Sequence, residues 1–154
     1  MLAGVAVLDY DRDGRLDLFF TNGAAMPSLE KTGTKFKNRL FHNLGNGTFE
    51  DVTDRAGVEG AGYGMGVAVG DYDNDGYPDL YITGYGKCVL YHNTGRKSFV
   101  DVTAKAGVGA RGPYDVVTAA AFVDLDGDGK LDLFAGRYIV FTPSTIHFCN
   151  YNGT

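Results

Sequence analysis

The fold follows from one stretch, Asp71-Tyr72-Asp73-Asn74-Asp75-Gly76-Tyr77-Pro78-Asp79, whose pattern occurs three times in the chain. The other copies run from Asp9 to Asp17 and from Asp124 to Asp132. Each copy has aspartate at relative positions 1, 3, 5 and 9 and glycine at position 6. Two carboxylates about 4 Å apart repel by roughly 4 kcal/mol at the effective dielectric of a protein surface. Four carboxylates within nine residues therefore predict a bound cation.

The residue types favour calcium as that cation. Calcium accepts about six to eight oxygen ligands in flexible geometry, whereas magnesium demands a near-ideal octahedron and keeps its waters. Glycine at position 6 permits a sharp turn, after which the carbonyl of position 7 can face the ion. Up to three calcium sites are predicted. Their predicted ligands are the side chains of Asp9, Asp11, Asp13, Asp17, Asp71, Asp73, Asp75, Asp79, Asp124, Asp126, Asp128 and Asp132 and the carbonyls of Arg15, Tyr77 and Lys130.

An EF-hand loop or an acidic hairpin turn could also contain such a stretch. An EF-hand requires a bidentate glutamate at position 12 and helices on both sides. Position 12 is occupied here by Phe20, Ile82 and Ala135, and the flanking segments are short and β-rich. A single copy could also be an ordinary acidic hairpin turn, but three copies with the same five positions argue against that interpretation. The stretch is therefore predicted to join two strands.

Composition excludes several function classes. Of the 19 acidic residues twelve lie in the three acidic stretches, so the net charge of −5 mostly reflects the predicted metal sites. Clusters of lysine and arginine that would indicate a nucleic-acid partner are absent from the sequence. The longest apolar run, Ala119 to Val123, is far shorter than the roughly 20 residues of a membrane helix. We therefore predict neither a nucleic-acid partner nor a membrane span.

The chain is built from repeated units of strands. Residues 1–58, 59–108 and 109–154 are predicted to form one blade each, the third of them incomplete. Leu40 to Val58 maps onto Leu90 to Val108 without a gap. Units of 50 to 60 residues with four antiparallel strands are typical of β-propeller blades. The predicted fold is all-β, with about two and a half blades of a partial propeller whose stacked neighbours supply the core.

Connections and turns were predicted from local signals. Tyr63 to Gly66 and Tyr114 to Thr118 are expected to connect one blade with the next. Asn46-Gly47 predicts a two-residue type I′ hairpin, since both central positions of that turn need positive φ. The sequence contains two Asn-Gly-Thr sequons, at Asn46 and Asn152, which are glycosylation candidates in a secreted protein. For Asn46 we favour a role in the turn.

The segment Gly64-Met65-Gly66-Val67-Ala68-Val69-Gly70, followed by the acidic stretch at Asp71, resembles the FG-GAP or VCBS repeat of integrin α-subunit propellers. The closing pattern at His42 to Thr53 and at His92 to Thr103 is similar to the branch of secreted bacterial and cartilage acidic proteins that often carries an ASPIC/UnbV domain. The resemblance implies a calcium-binding β-propeller of extracellular, cell-surface or periplasmic proteins. It also implies that the ion lies between the first two strands of a blade.

Other candidate residues favour structural roles. His42 and His92 occupy equivalent places, so blade packing is the favoured interpretation, and transition-metal binding or catalysis is the alternative. Asp51 and Asp101 are interpreted as hydrogen-bonding groups at strand ends. Nothing resembles a catalytic triad or a phosphate-binding loop, and we predict that the chain is not an enzyme. Whether Cys88 pairs with Cys149 stays open.

Three functions are consistent with these sequence features. The first is a calcium-binding adhesion or ligand-binding module, part of a larger propeller, with a protein or glycan partner. The second is a structural protomer that self-associates through open blade edges into an oligomer or fibre. The third is an accessory propeller of a larger secreted enzyme.

Overall fold

The computed structural model describes residues 4–140, and this part of the chain is all-β. Its ten strands pair in antiparallel fashion, as the repeats predicted, and they form two sheets. The strands are β1 Val5–Leu8, β2 Asp17–Phe20, β3 Arg39–Asn43, β4 Phe49–Asp51, β5 Tyr63–Gly70, β6 Asp79–Tyr85, β7 Val89–Asn93, β8 Phe99–Asp101, β9 Asp115–Val123 and β10 Asp132–Val140. A 3-10 helix spans Thr34–Phe36, and two one-turn helices are α1 Thr53–Ala56 and α2 Thr103–Ala106.

The sheets correspond to successive blades of a partial propeller. The first sheet has the order β1-β2-β3-β4, in which every strand pairs with its neighbour in sequence. In the second sheet β5, β6, β7 and β8 pair in the same way. Strands β9 and β10 form a third hairpin, which joins β6 through the single pair Tyr85 and Val116. Each acidic stretch lies between the first two strands of its unit, so loop 1 is residues 9–17, loop 2 is 71–79 and loop 3 is 124–132.

The main core lies between the first and second units, because a single sheet cannot bury both of its faces. It combines side chains from both units into one cluster. The first unit contributes Ala6, Leu8, Tyr10, Phe19 and Leu40, among others, and the second contributes Leu80, Ile82, Val89, Tyr91 and Phe99. A second cluster, with Tyr81, Leu90 and Val117, joins the second unit to the third. The prediction that stacked neighbours supply the core is therefore confirmed.

The inner strands begin earlier than predicted. β5 starts at Tyr63 and β9 at Asp115, so the two segments interpreted as connections are mostly strand. The extra length of β5 pairs Tyr63 with Tyr85 and Gly64 with Gly84, beyond an irregularity that separates Gly64 from Val67. Such a bulge interrupts the alternation from which a strand is recognised in sequence, and this is why the extension was missed.

The one-turn helices were not predicted either. Each helix follows the outermost strand of its unit, where Asp51 and Asp101 accept hydrogen bonds from the residue two positions later. In the first unit the Asp51 carboxylate accepts from the backbone N–H of Thr53 at 3.1 Å and from its hydroxyl at 2.6 Å. The two aspartates therefore serve as strand-end hydrogen-bonding groups, as interpreted. Four residues are too short for an amphipathic period to be visible in the sequence.

The hairpin between β3 and β4 differs from the prediction. A type I′ turn at Asn46-Gly47 would need positive φ at both residues, but Gly45 and Gly47 have it and Asn46 does not. The loop is longer than two residues, and Leu44 N donates to the Thr48 carbonyl at 3.0 Å. Asn46 Oδ1 accepts from Thr48 N at 3.0 Å, so its side chain shapes the turn, as favoured from the sequence.

Candidate metal centre

The same hydrogen bonds shape the three acidic loops. In each loop the carboxylate at position 1 accepts from the backbone N–H groups of positions 5 and 6, at 2.8–3.2 Å. The carboxylate at position 5 accepts from the N–H of position 7, at 2.8–2.9 Å. The carboxylate at position 9 accepts from the N–H of position 2, at 3.1 Å. Because a carboxylate has about four lone-pair sites, these bonds orient its oxygens and leave lone pairs for a cation.

The glycine at position 6 adopts the conformation that the sequence required. Gly14, Gly76 and Gly129 have φ values of 84°, 90° and 84°. This is the left-handed region, in which a side chain is strained and glycine is not. The turn brings the N–H of position 6 onto the carboxylate of position 1, which closes the loop.

The aspartate at position 9 is buried in loops 1 and 2. Asp17 and Asp79 have fully buried side chains at the start of the second strand of their units. Burial raises the pKa of both carboxyls, that of Asp79 to about 6, although backbone N–H donors partly offset the effect. In the second unit Asp79 accepts from the backbone N–H groups of Tyr72 and Asn93. A nearby cation would compensate the cost of burying such a charge.

Position 3 provides the observation that bears most directly on a ligand. The Asp11 side chain is fully buried, and its Oδ1 atom has no hydrogen-bond partner. Buried polar atoms without partners are rare, and each costs about 1–3 kcal/mol. Since position 3 faces the other carboxylates of loop 1, a bound cation would satisfy this oxygen. The residues of loop 1 therefore fit the implied ion.

The sequence singled out His42 and His92 but did not place them beside loops 1 and 2. His42 Nδ1 lies 3.1 Å from Asp17 Oδ1 and 3.8 Å from Asp11 Oδ2. In the second unit His92 Nδ1 lies 3.3 Å from Asp79 Oδ1 and 3.4 Å from Asp73 Oδ2. Each ring also packs edge-on against the tyrosine at position 2 of its loop. The histidines therefore combine the predicted packing role with direct contact to the predicted ligands.

A signal for this contact was present in the sequence. Both histidines precede an asparagine on the third strand of their unit, and β2 pairs with β3 so that Leu18 lies opposite Phe41. Extending that register by one residue places position 9 of the loop beside His42. The same register lets the N–H of Asn43 donate to Asp17 Oδ1 at 2.8 Å.

Most of the predicted ligands converge within their own loops. Groups of acidic and histidine residues with candidate ligand atoms within 4.8 Å of one another occur in all three loops. These groups are Asp9, Asp11 and Asp13; Asp11, Asp17 and His42; Asp71, Asp73 and Asp79; Asp73, Asp75 and His92; and Asp124, Asp126 and Asp132. Asp128 belongs to none of the groups but accepts from Lys130 N like its counterparts. The carbonyls of Arg15, Tyr77 and Lys130 stay predicted ligands.

Consecutive acidic loops contact each other across the boundary between units. The Arg12 guanidinium of loop 1 lies over the Tyr77 ring of loop 2, 5.5 Å from its centroid. Asn74 Nδ2 of loop 2 donates to the Gly129 carbonyl of loop 3 at 3.0 Å. Arg12 and Asn74 both occupy position 4. Neighbouring blades are therefore connected through their acidic loops as well as through their cores.

Two further sequence predictions fall partly outside residues 4–140. Cys88 is buried at the start of the second hairpin of its unit, whereas Cys149 lies outside the described residues. Of the two sequons, Asn46 lies in an exposed turn and Asn152 is again outside the described residues. Pairing of Cys88 with Cys149 and glycosylation of the two sequons therefore stay predictions from the sequence.

Comparison with known proteins identifies the repeat. A family model of the FG-GAP-like repeat matches the chain twice, over residues 9–82 and 71–135. The chain belongs to the FG-GAP-like repeat family. The two matches begin at the first residue of loops 1 and 2, so the acidic stretch is part of the family pattern and not a local feature of this chain.

A relative of this FG-GAP-like chain is cartilage acidic protein 1 of Mus musculus. The two are 50% identical over 44 residues, which cover 28% of this chain and 7% of the mouse protein. The match therefore spans a small part of the relative. Repeats of the FG-GAP-like family form propeller-type modules and are typically non-catalytic. Within residues 4–140 no helix has the length and apolar character needed to cross a bilayer.

Proposed function

We propose that this chain is a calcium-binding part of an extracellular propeller that serves adhesion or ligand binding. Calcium would be held in loops 1 to 3 by the aspartates at positions 1, 3, 5 and 9 and the carbonyl at position 7. It would supply the positive charge that these carboxylates lack and stiffen one rim of the propeller. The faces and loops of the propeller would then be free to engage a protein or glycan.

The unpartnered Oδ1 of Asp11 is the observation that carries this proposal. It is a buried acceptor inside a loop whose other carboxylates already receive backbone N–H groups. The raised pKa of Asp79 supports the same proposal, because burial disfavours the charged carboxylate there and a cation would favour it. Membership of the FG-GAP-like family and the short match to cartilage acidic protein 1 support an extracellular location.

Thermal unfolding of the 154-residue chain in calcium, in magnesium and in excess chelator tests the proposal. A ligand that binds only the folded state adds about 2.7 kcal/mol at a hundred times its Kd. For a chain of this size each kcal/mol raises Tm by about 2–4 °C. We therefore expect chelator to lower Tm by about 5–11 °C, and magnesium to restore little of that loss.

Two aspartate variants make the test specific. Asp75→Asn removes a predicted ligand from loop 2 and should reduce the response to calcium. Asp54→Asn removes the same charge from a side chain that pairs with Lys37 on the surface, and its response should equal that of the unmodified chain. Because His42 and His92 offer nitrogen ligands, zinc is included as a further ion. An unchanged Tm in calcium, or a shift produced only by zinc, would refute the calcium function.

A second candidate function, self-association, is favoured by the third unit. β10 is the last strand of its sheet among the described residues. Its side chains Phe134, Tyr138 and Val140 are 63%, 78% and 63% exposed. An exposed apolar edge strand invites pairing with another chain. Light scattering after gel filtration in calcium distinguishes the candidates, since a monodisperse monomer at high concentration would exclude assembly into an oligomer or fibre.

A further inference from the structure

We propose that Lys97 weakens cation binding at loop 1, so that loop 2 is the tighter of the two sites. This inference rests on the proposed calcium function and adds to it a ranking of the sites. The residue that sets the ranking comes from the neighbouring unit, so affinity at loop 1 depends on the contact between the first two blades.

The contact joins Lys97, in the turn between β7 and β8, to a predicted ligand of loop 1. Lys97 Nζ lies 2.8 Å from Asp11 Oδ2. The other oxygen of this buried carboxylate, Oδ1, is the one without a partner. A cation held by Asp11 would therefore share a single carboxylate with an ammonium group. Because both are positive, they repel each other, and the ammonium also neutralises part of the charge that attracts the ion.

Lys97 has a backbone conformation that residues other than glycine seldom adopt. Its φ is 62°, in the left-handed region that favours glycine. The equivalent residue of the first unit, fifty positions earlier, is Gly47, which also has positive φ. The second unit therefore places a long cationic side chain where the first unit has glycine, and that side chain reaches loop 1.

A second basic side chain, Arg15, pairs with a carboxylate of loop 1 and has no counterpart in loop 2. The Arg15 guanidinium contacts the Asp13 carboxylate, and position 7 of loop 2 is Tyr77 instead. Across residues 4–140, no lysine or arginine forms an ion pair with a carboxylate of loop 2. Arg12 approaches loop 2 by lying over the Tyr77 ring. Two of the four carboxylates of loop 1 thus pair with a lysine or arginine, and those of loop 2 pair with neither. Each loop also meets one histidine, His42 at loop 1 and His92 at loop 2.

Calorimetric titration with calcium tests the ranking in chains that retain one site. Asp75→Asn with Asp128→Asn leaves loop 1 intact, and Asp13→Asn with Asp128→Asn leaves loop 2 intact. We expect the Kd of loop 2 to be smaller than that of loop 1. Adding Lys97→Gln should lower the Kd of loop 1 about fivefold, the upper end of what a partly exposed ion pair contributes, and should leave loop 2 unchanged.

The matched control is Lys105→Gln, which removes the same charge from α2. Its Kd values at both loops should equal those of the parent chains. A purely structural role for Lys97 predicts a lower Tm in calcium and in chelator alike. The proposed role predicts instead that Lys97→Gln, in the chain that retains loop 1, increases the difference between the Tm in calcium and the Tm in chelator.

The outcomes separate this inference from the calcium function. Calcium binding with an equal or larger Kd in the Lys97→Gln variant of the loop 1 chain would overturn the role of Lys97 and leave the calcium function intact. Absence of calcium binding by the unmodified chain would overturn both. A lower Kd at loop 1 in the Lys97→Gln variant, with an unchanged Kd at loop 2, would support both the role of Lys97 and the calcium function.

Discussion

Replacing Gly66 with alanine should destabilise the contact between the second and third units. Gly66 lies in β5, where a Cβ atom would be 2.8 Å from the Thr118 carbonyl of β9 and 2.8 Å from Thr83 Oγ1. Ordinary van der Waals contact begins at 3.4 Å. The carbonyl belongs to the backbone of β9 and cannot move on its own. Thr83 Oγ1 already accepts from Gly66 N at 2.9 Å and cannot move without weakening that hydrogen bond. Gly4 approaches the Gly66 backbone equally closely, which indicates that the inner strands of successive units pack in the same way.

The cost follows from these distances. Overpacking of this kind costs about 1–3 kcal/mol, and replacing glycine in the unfolded chain returns about 0.4–1 kcal/mol. We expect a net loss of roughly 1–2 kcal/mol in the free energy of unfolding, and a fall in Tm of about 2–8 °C. Urea unfolding followed by circular dichroism, in calcium, measures the loss. Gly112→Ala is the control, because its Cβ would meet nothing within 4 Å. Equal stability of Gly66→Ala and the unmodified chain would refute close packing of β5 against β9.

Further predictions concern the interface between units and the buried Tyr91. Asn93 is fully buried, and its Nδ2 donates to the Tyr10 carbonyl of the first unit at 2.8 Å. Asn93→Ala should therefore lower the free energy of unfolding in urea by about 2–3 kcal/mol. The equivalent Asn43 donates to the Leu16 carbonyl through an exposed amide, so Asn43→Ala should cost less. Equal losses of stability in the two variants would contradict this expectation. Burial raises the pKa of Tyr91 to about 12. Since the folded state keeps this proton more tightly, stability should fall by up to about 2–3 kcal/mol as pH rises from 10 to 12. Tyr91→Phe should reduce that fall in pH-dependent urea unfolding, and an identical pH profile would contradict the assignment.

Local features of the fold could be predicted from the sequence because they depend on near neighbours. The hydrogen bonds of the acidic loops join residues two to seven positions apart, so the spacing of Asp71, Asp75 and Asp79 was sufficient to predict a closed turn. The repeat then predicted the sheets and their stacking. The early start of β5 was missed because a bulge interrupts the alternation of side chains.

Contacts between units could not be predicted from spacing. Lys97 and Asp11 are 86 positions apart, and their ion pair depends on how the second sheet lies against the first. The histidines are an intermediate case. His42 reaches Asp17 through the pairing of β2 with β3, which the hairpin register implies once the strands are aligned. The same register could have predicted the contact between His92 and Asp79.

Long-wavelength X-ray diffraction from crystals grown in calcium tests the central claim most directly, because it locates the ion by its anomalous scattering. We predict a calcium peak in loop 2, held by Asp71, Asp73, Asp75 and Asp79 and the Tyr77 carbonyl at about 2.3–2.6 Å. An equivalent peak in loop 1 should fall to lower occupancy first as calcium is reduced. Well-ordered loops without a peak at millimolar calcium, with their carboxylates bound only to backbone N–H groups, would contradict the account.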